Sequence, residues 1–482
     1  MRRTKIVCTI GPSCKSPEML REFILRGMDV ARLNLSHGAH GEHRAAFRTI
    51  RSLAQELNRN VAVLMDLQGP KIRTGPLEGG GPVALAEGAS FCITTRDVPG
   101  DQTCVSTTYA ALPSDVKAGD RILLADGAME LVAERVVPPD VYCRVVRGGT
   151  LGQHKGINLP GVNVSAPALT AKDVEDLELA FELGVDYLAL SFVRKPEDVY
   201  DIKRRIAQVR ADIRVVAKIE RPEALDRFDA ILEATDAVMV ARGDLGVEVD
   251  LNDVPQIQKA LIRKCNAAGK TVITSTQMLE SMMTNARPTR AEVTDVANAI
   301  YDGTDAVMLS GETAAGKFPL EAVTTMADIT RKADQAIAGA PPRLIAPHAS
   351  DAGAGAGEGA FSDAIGQAVR DMVCTLNVTQ IVCFTMSGFT AAAIARYRPQ
   401  TPITAITLSE ETRRRCALYW GVDAVQSVEV EDMDTMIRVV DEVLLRRGLA
   451  AAGDVIIVVA GTPLAVGGRT NLLHLHTVGD TV

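Results

Sequence analysis

The chain lacks the features typical of membrane, secreted and nucleic-acid-binding proteins. Its 482 residues contain no apolar stretch near the roughly 18 residues that a membrane helix needs. The nine cysteines are dispersed without a CxxC pair, which argues against a disulfide framework or a zinc site. The formal net charge of −8 shows no basic excess for nucleic acid.

These absences leave a globular protein of a reducing compartment as the expectation. Met1-Arg2-Arg3 is followed by a strand-like run and not by a long apolar region, so we expect no signal peptide and a cytoplasmic location. Hydrophobic residues make up 47% and charged residues 23% of the chain, which is typical of a large core. The length predicts roughly two to four domains.

Short Val-rich runs alternate with amphipathic segments over much of the chain. This pattern predicts buried parallel strands, each followed by a helix. Eight such units favour a closed (β/α)8 barrel, and a doubly wound open sheet is the alternative. The predicted strands are Lys5 to Ile10, Met28 to Leu33, Val61 to Leu67, Tyr187 to Leu190, Ile213 to Ala217, Ala237 to Val240, Thr271 to Thr274 and Ala306 to Leu309.

Two segments depart from this rhythm. Residues 71–166 contain short alternating runs broken by Gly, Pro and Asp, which predicts an inserted small antiparallel β-barrel domain that could act as a lid. Residues 339–359 are rich in Pro, Ala and Gly and are predicted to be a linker. The barrel is then assigned to 1–70 and 167–338, and a separate α/β domain to 360–482.

The carboxyl ends of the predicted barrel strands carry polar and charged residues. Active sites of such barrels lie at these strand ends, so the side chains are expected to converge. Carboxylates, cations and hydroxyls together suit a divalent metal and a phosphate, although each charged pair could also be a salt bridge at the sheet rim. The residues are Arg32, Asn34, Ser36, Asp66, Lys218, Glu220, Arg242, Asp244, Thr276, Gln277, Ser310 and Glu312.

Seven longer motifs stand in order along nearly the whole chain. They are TKIVCTIGPS at Thr4, MDVARLNLSHG at Met28, GPKIRTG at Gly69, HKGINLPG at His154, AKIE at Ala217, VMVARGDLGVE at Val238, and TQMLESM through SGETA between Thr276 and Ala314. In these motifs the chain resembles the pyruvate kinase family, and seven matches at the expected spacing make an accidental match implausible.

The resemblance implies transfer of a phosphoryl group from phosphoenolpyruvate to ADP. Glu220 and Asp244 match the ligands of Mg²⁺ or Mn²⁺, and Lys218 matches the lysine that neutralises the phosphoryl group. Arg32 is expected to contact the phosphate as a second cation. The backbone at Gly243 and Asp244, with the Thr276 hydroxyl, matches the cradle for the substrate carboxylate, and the side chain of Arg242 is expected to be structural.

Further expectations rest on the same resemblance. Arg73 and Lys172 match contacts to the nucleotide phosphates, and Thr276 could belong to the path that delivers a proton to enolpyruvate. His37, by contrast, is interpreted as a structural residue. The family also suggests a homotetramer.

The chain departs from potassium-dependent members at the monovalent-cation site. Asn34, Ser36 and Asp66 remain, but Leu67 stands where those members have Thr, and Lys71 stands where they have Glu. Leu67 removes an oxygen ligand, and the Lys71 ammonium could supply the missing charge. We therefore expect activity without potassium.

The C-terminal domain resembles the effector domain of the family. Thr385, Ser387, Gly388 and Thr390 follow a predicted strand and open a helix, so their hydroxyl and N–H groups could hold a phosphate. Members that bind fructose 1,6-bisphosphate often have a basic residue where Phe389 stands in this chain. They also often have a loop containing Trp and Arg, which residues 461–469 do not match. A sugar monophosphate or AMP is the favoured effector, and a simple helix cap or no effector are the alternatives.

Two other functions are compatible with parts of this pattern. Lys218 could form a Schiff base in an aldolase or lyase, but the nearby carboxylates Glu220 and Asp244 favour a metal. A regulatory protein that binds phosphometabolites without turnover is the second alternative. The retention of Lys218, Glu220, Asp244 and Thr276 together argues against it.

Overall fold

The computed structural model describes residues 2–338, 358–430, 432–462 and 470–480. Eight parallel strands close into a barrel, so the predicted (β/α)8 fold is confirmed and the open sheet is excluded. Nearly every residue of these strands is buried, because helices cover the outside and side chains fill the inside. The strands are Lys5–Ile10, Val30–Asn34, Ala62–Asp66, Tyr187–Leu190, Arg214–Ile219, Ala237–Ala241, Thr271–Ser275 and Ala306–Leu309.

Amphipathic helices follow the barrel strands and are begun by local signals. Ser16 caps the first helix by accepting from Met19 N, and Thr170 and Thr289 form capping boxes. Two helices follow the fifth strand, where the sequence predicts one from Arg221 to Glu233. The helices are Pro17–Arg26, His40–Glu56, Ala171–Leu183, Pro196–Gln208, Pro222–Asp226, Phe228–Ala234, Arg242–Glu248, Val254–Ala267, Arg290–Asp302, Gly311–Ala314 and Pro319–Ala338.

A separate β unit is inserted after the third barrel strand. Its main sheet has six strands in mixed pairing, because Ser90–Thr94 lies parallel to Cys104–Ser106 while the other pairs are antiparallel. One short helix, Leu112–Asp115, also lies here, where the sequence predicts none. The remaining strands are Val83–Leu85, Arg121–Leu124, Met129–Val137, Asp140–Arg147, Gly149–Leu151 and Ile157–Asn158.

The C-terminal α/β unit has a five-stranded sheet. Four parallel strands, Val378–Phe384, Ile403–Thr407, Val422–Gln426 and Val455–Ala460, match the predicted ones within a few residues. The antiparallel edge strand Leu472–Thr477 is not among the predicted strands. The helices are Glu358–Thr375, Phe389–Ala395, Glu410–Arg415 and Met433–Arg447, and the first of them begins inside the predicted linker.

Two bulk expectations can be compared with the described residues. All nine cysteines are free thiols, in agreement with the absence of a disulfide framework. Among the helices that the structure describes, none is both long enough and apolar enough to cross a bilayer.

Candidate active site

Lys218 is held between two carboxylates at the end of the fifth strand. Its Nζ lies 2.9 Å from Glu220 Oε1 and 3.3 Å from Asp66 Oδ1, and it donates to Ser191 Oγ at 2.7 Å. Burial alone lowers the pKa of Lys218, but the charges of Asp66 and Glu220 outweigh burial and raise that pKa above its ordinary value. The ammonium is therefore permanently charged and nearly enclosed.

Arg32 places a second cation beside the same carboxylate. Its Nε donates to Asp66 Oδ2 at 2.7 Å, and its Nη1 donates to Thr9 Oγ1 at 2.9 Å. Burial alone would raise the pKa of Asp66, but Lys218 and Arg32 together hold that pKa below its ordinary value. Asp66 thus stays ionised and orients Lys218 and Arg32. This role differs from that of a carboxylate that is free to bind a monovalent metal ion.

Glu220 and Asp244 form the candidate metal pair. Burial raises the pKa of Glu220 and the Asp244 charge adds to this, although Lys218 opposes both. Glu220 Oε2 accepts the backbone N–H of Phe192 at 2.7 Å, whereas the buried Oε1 has no partner with hydrogen-bond geometry despite its ionic contact with Lys218. A divalent cation between the two carboxylates would relieve this repulsion and use the open oxygen.

The described side chains supply no larger metal cluster. Over residues 2–338, 358–430, 432–462 and 470–480, no group of three or more His, Cys, Asp or Glu side chains could hold a metal ion. Mg²⁺ commonly takes one or two protein carboxylates and completes its shell with substrate phosphates and water. Glu220 and Asp244 fit that kind of site.

Thr276 and Gly243 meet at the ends of the sixth and seventh strands. The Gly243 N–H donates to Thr276 Oγ1 at 2.6 Å, and that hydroxyl donates to Ser275 O at 2.6 Å. Thr276 has a φ of 68°, a conformation that costs a β-branched residue roughly 1–3 kcal/mol. A Cβ at position 243 would lie 3.3 Å from Thr276 Oγ1, so any larger residue would crowd this hydroxyl.

Arg242 holds this loop and does not extend to the charged centre. Its guanidinium donates to the carbonyl oxygens of Ser275 and Thr276 at 3.3 and 2.8 Å and pairs with Asp295 at 2.8 Å. The geometry agrees with the structural role predicted for this side chain.

Lys71, Arg73 and Lys172 lie near the end of the second strand. The charges of Arg73, Lys71 and Arg32 add to burial in lowering the pKa of His37. Arg73 Nη1 donates to His154 O at 3.1 Å, and Lys172 Nζ donates to Leu35 O at 2.8 Å and pairs with Asp176 at 2.6 Å. We call these three cations the rim; Lys71 and Arg73 are partly buried and Lys172 is exposed.

The predicted monovalent-cation residues are brought together by strand register. Asn34 is the register partner of Asp66, and Asn34 Oδ1 accepts the N–H of Ser36 at 3.1 Å. Leu67 is 1% exposed and offers no side-chain oxygen. Asp66 is already engaged by Arg32 and Lys218.

Ser191 is a site residue absent from the sequence predictions. It follows the fourth strand, accepts from Lys218, and donates to Leu67 O at 2.8 Å. The neighbouring Phe192 has a φ of 56° and presents its N–H to Glu220. Ser191 comes just after a barrel strand, as Lys218 and Glu220 stand at the end of one. This position in the sequence is the signal that could have identified it.

The remaining polar residues at the strand ends bind the backbone of the loops or lie within them. The buried Glu312 accepts the N–H groups of Leu279 and Ser310 at 3.0 and 2.7 Å. Glu280 is exposed, and burial followed by the Glu312 charge raises its pKa. Gln277 has a φ of 53° beside Thr276.

The predicted effector residues form a turn before a short helix. Gly388 has a φ of 87°, and its N–H donates to Thr385 Oγ1 at 3.1 Å. Thr390 is buried and accepts a hydrogen bond from Thr470 at 3.0 Å, while Ser387 is partly exposed. Most of the loop 461–469 lies outside the described residues.

The chain is similar to known proteins over nearly its whole length. The models of the pyruvate kinase barrel domain and of the pyruvate kinase alpha/beta domain match residues 1–323 and 363–476. Pyruvate kinases of Staphylococcus epidermidis and Staphylococcus aureus are 45% identical over 100% of this chain, which covers 81% of theirs.

A crystal structure gives the same result at the level of the fold. A pyruvate kinase from Cryptosporidium parvum superposes with a TM-score of 0.88 and 36% identity, covering 99% of this chain and 96% of that chain. The chain therefore belongs to the pyruvate kinase family of phosphotransferases, whose substrates are phosphoenolpyruvate and ADP.

Proposed function

We propose that Lys218 and Arg32 are the cations that stabilise the phosphoryl group during its transfer from phosphoenolpyruvate to ADP. The observation that carries this proposal is the position of Lys218, buried between Asp66 and Glu220 and adjacent, through Asp66, to Arg32. In such transfers the charge spreads over the phosphoryl oxygens, and fixed cations in a dry site stabilise it without reorganisation.

The bond changes define what the other residues do. The bond from phosphorus to the enolpyruvate oxygen breaks, and a bond from phosphorus to an ADP β-phosphate oxygen forms. The electron pair of the broken bond stays on the oxygen and leaves the enolate of pyruvate, which gains a proton at its terminal carbon and becomes pyruvate. Thr276 and the N–H groups of Gly243 and Asp244 orient the substrate carboxylate, which takes the place of the hydrogen bond from Gly243 N–H to Thr276 Oγ1 and fixes the phosphoryl group against Lys218.

Glu220 and Asp244 hold the divalent cation, Mg²⁺ or Mn²⁺, in this proposal. When bound, the cation supplies positive charge to the phosphoryl oxygens and links the protein to its substrates. The mutual repulsion of the two carboxylates, which raises the pKa of Glu220, supports this assignment. Arg73 and Lys172 on the rim contact the nucleotide phosphates.

A coupled assay of pyruvate formation from phosphoenolpyruvate and ADP with magnesium tests this proposal. The wild type is expected to be active, and Lys218→Met is expected to lose about a hundredfold or more in kcat. Lys195→Met removes an exposed lysine nearby and serves as the matched control. An inactive wild type, or an active Lys218→Met variant, contradicts the proposed roles.

The same site works without potassium in our proposal. Leu67 removes one oxygen ligand, and the Lys71 ammonium, close enough to His37 to lower its pKa, places positive charge on the same side of the site. Activity with tetramethylammonium as the only monovalent cation is therefore expected to equal activity with potassium. Activation by potassium of more than about tenfold would contradict this assignment.

The C-terminal turn is proposed to bind a sugar monophosphate or AMP. Its support is the partly exposed Ser387 hydroxyl beside the Thr385 hydroxyl, in a turn that the hydrogen bond from Gly388 N–H to Thr385 Oγ1 holds in place. Titration calorimetry with glucose 6-phosphate and AMP is expected to show binding that Ser387→Ala weakens. Undiminished binding in the variant argues against this pocket.

The wider organisation is also proposed here. The division into a barrel at 1–70 and 167–338, an inserted lid at 71–166, a linker at 339–359 and an effector domain at 360–482 is supported by the separate sheets. A homotetramer is proposed from the family. The nine free thiols support a reducing compartment, which we propose to be the cytoplasm.

A further inference from the structure

A groove rich in arginine lies between the barrel and the C-terminal sheet unit. On the barrel side it is lined by the end of the helix His40–Glu56 and the following loop, and on the other side by the ends of two C-terminal helices. Its empty volume is about 1100 Å³. Its guanidinium groups are those of Arg51, Arg59, Arg413, Arg414 and Arg447.

The groove is distant from the candidate active site along the barrel axis. Val61, which lines it, comes just before the third barrel strand, and Asp186, which lies behind it, comes just before the fourth. These positions are at the amino ends of the strands, whereas Lys218 and Glu220 lie at the carboxyl ends. The groove therefore does not belong to the site that performs phosphoryl transfer.

Two carboxylates neutralise only part of this positive charge. Asp186 is buried and binds Arg51 at 2.6 Å and Arg414 at 2.9 Å, so one negative charge is shared by two cations. Glu410 binds Arg413 through both oxygens, at 2.7 and 2.6 Å. Burial lowers the pKa of Arg51 and, although Asp186 opposes this, the Arg414 charge lowers it further, as expected for crowded cations.

Two arginines have no strong counter-ion in the described part of the chain. The side chain of Arg59 is exposed and makes no hydrogen bond or ion pair with any described residue, although its backbone N–H donates to Ala54 O. Arg447 has only Asp423 nearby, at 4.0 Å, and that carboxylate is largely exposed to water. The groove thus presents five guanidinium groups against the lining Glu410 and the buried Asp186, with Glu411 and Asp423 as more distant carboxylates at 3.9 Å from Arg414 and 4.0 Å from Arg447.

Guanidinium groups are suited to phosphate because their planar fork can donate two parallel hydrogen bonds to its oxygens. Cations on two facing walls match a ligand that carries charge at two ends. We propose that this groove binds a small molecule with at least two phosphate groups, at a site separate from the active site and from the turn at Thr385 to Thr390. The ligand would join the barrel to the C-terminal unit and stabilise their contact.

Titration calorimetry on the full-length protein tests this, with pyrophosphate and fructose 1,6-bisphosphate as probes in magnesium-free buffer. The double variant Arg59→Gln/Arg447→Gln is expected to weaken binding of at least one probe by about tenfold or more. Arg204→Gln, an exposed arginine on another helix, is the matched control and is expected to bind as the wild type does. Added salt is expected to weaken binding in the wild type.

A third variant separates this groove from the C-terminal turn. Ser387→Ala is expected to retain the binding that the double variant loses. The proposal is overturned if neither probe binds the wild type, if the double variant binds as tightly as Arg204→Gln, or if the loss occurs only in Ser387→Ala. Pyruvate formation at saturating substrate should stay unchanged in the double variant, which shows that it is folded and that the proposed function is unaffected.

Discussion

At the scale of single residues, the candidate site depends on charges that hold one another in place. Asp66 binds Arg32 and Lys218, and Lys218 also binds Glu220 and Ser191. Each partner is nearly enclosed, so each charge is compensated inside the protein and not by water. This explains why the cations remain charged in a dry site.

Ser191 is predicted to be a positioning residue for Lys218. Because its hydroxyl accepts from Nζ and donates to Leu67 O, Ser191→Ala frees the ammonium to move away from the phosphoryl path. We expect kcat to fall by about tenfold with little change in KM for ADP, measured by the coupled assay. Ser191→Thr keeps the hydroxyl and should restore most of kcat; equal kcat in wild type and Ser191→Ala would contradict the role.

Substitution of Leu67 and Lys71 by the residues of potassium-dependent members should create a requirement for potassium. Leu67→Thr/Lys71→Glu restores an oxygen ligand and a carboxylate while removing the ammonium. Activity in tetramethylammonium is expected to fall, and potassium should raise it by about tenfold, measured as pyruvate formation. The single variant Leu67→Thr keeps Lys71 and should stay active without potassium, and a double variant indifferent to potassium would contradict the assignment.

At the scale of elements, a buried ion pair of the barrel holds the inserted unit through hydrogen bonds. Arg221 follows the fifth strand and binds Glu248 at 2.9 Å and Val162 O at 3.2 Å. Asn158 of the inserted sheet donates to the same Glu248 oxygen at 3.1 Å. Arg194 adds a hydrogen bond to Ala166 O at 2.6 Å. These contacts attach the inserted unit to the barrel.

Removal of one partner of this pair should destabilise the protein. Arg221→Leu leaves the Glu248 carboxylate buried without its cation, which costs about 3–5 kcal/mol. We expect a clear fall in Tm, measured by calorimetry. The double variant Arg221→Leu/Glu248→Leu should recover much of the loss, and a double variant less stable than Arg221→Leu would contradict this account.

The same variant should respond to pH in a known direction. Burial raises the folded pKa of Glu248 although Arg221 opposes it, so the folded state binds the proton more tightly than the unfolded state. Stability from this group is then lost as pH rises from the unfolded pKa through the folded pKa. The Tm of Arg221→Leu should therefore fall further below that of the wild type as pH rises from about 5 to about 8. A difference in Tm that does not depend on pH would contradict the assignment.

At the scale of the whole molecule, the resemblance to the family predicts a homotetramer. Light scattering after size exclusion should give the mass of four chains of 51.4 kDa each. A C-terminal effector site can influence the barrel only if both bias the same conformational equilibrium. A mass of one chain at assay concentration would contradict the tetramer.

The sequence determined much of the element pattern, for reasons that are local. The strands Lys5–Ile10 and Ala306–Leu309 are predicted at their observed bounds, because an apolar run closed by a turn or cap identifies a buried strand. The family motifs AKIE and VMVARGDLGVE are also local, and they contain Lys218, Glu220 and Asp244. The helix that begins at Glu358 was not predicted, because its Gly-rich start is typical of a linker.

The tertiary structure alone decided how these residues meet. Barrel closure places Ser191 against Lys218 and gives Asp66 both Arg32 and Lys218 as partners, and no local pattern reports such distances. The edge strand Leu472–Thr477 is likewise stabilised by its neighbour Val455–Ala460 and not by its own sequence. Contacts between distant segments depend on packing, and their energies arise only once the chain has folded.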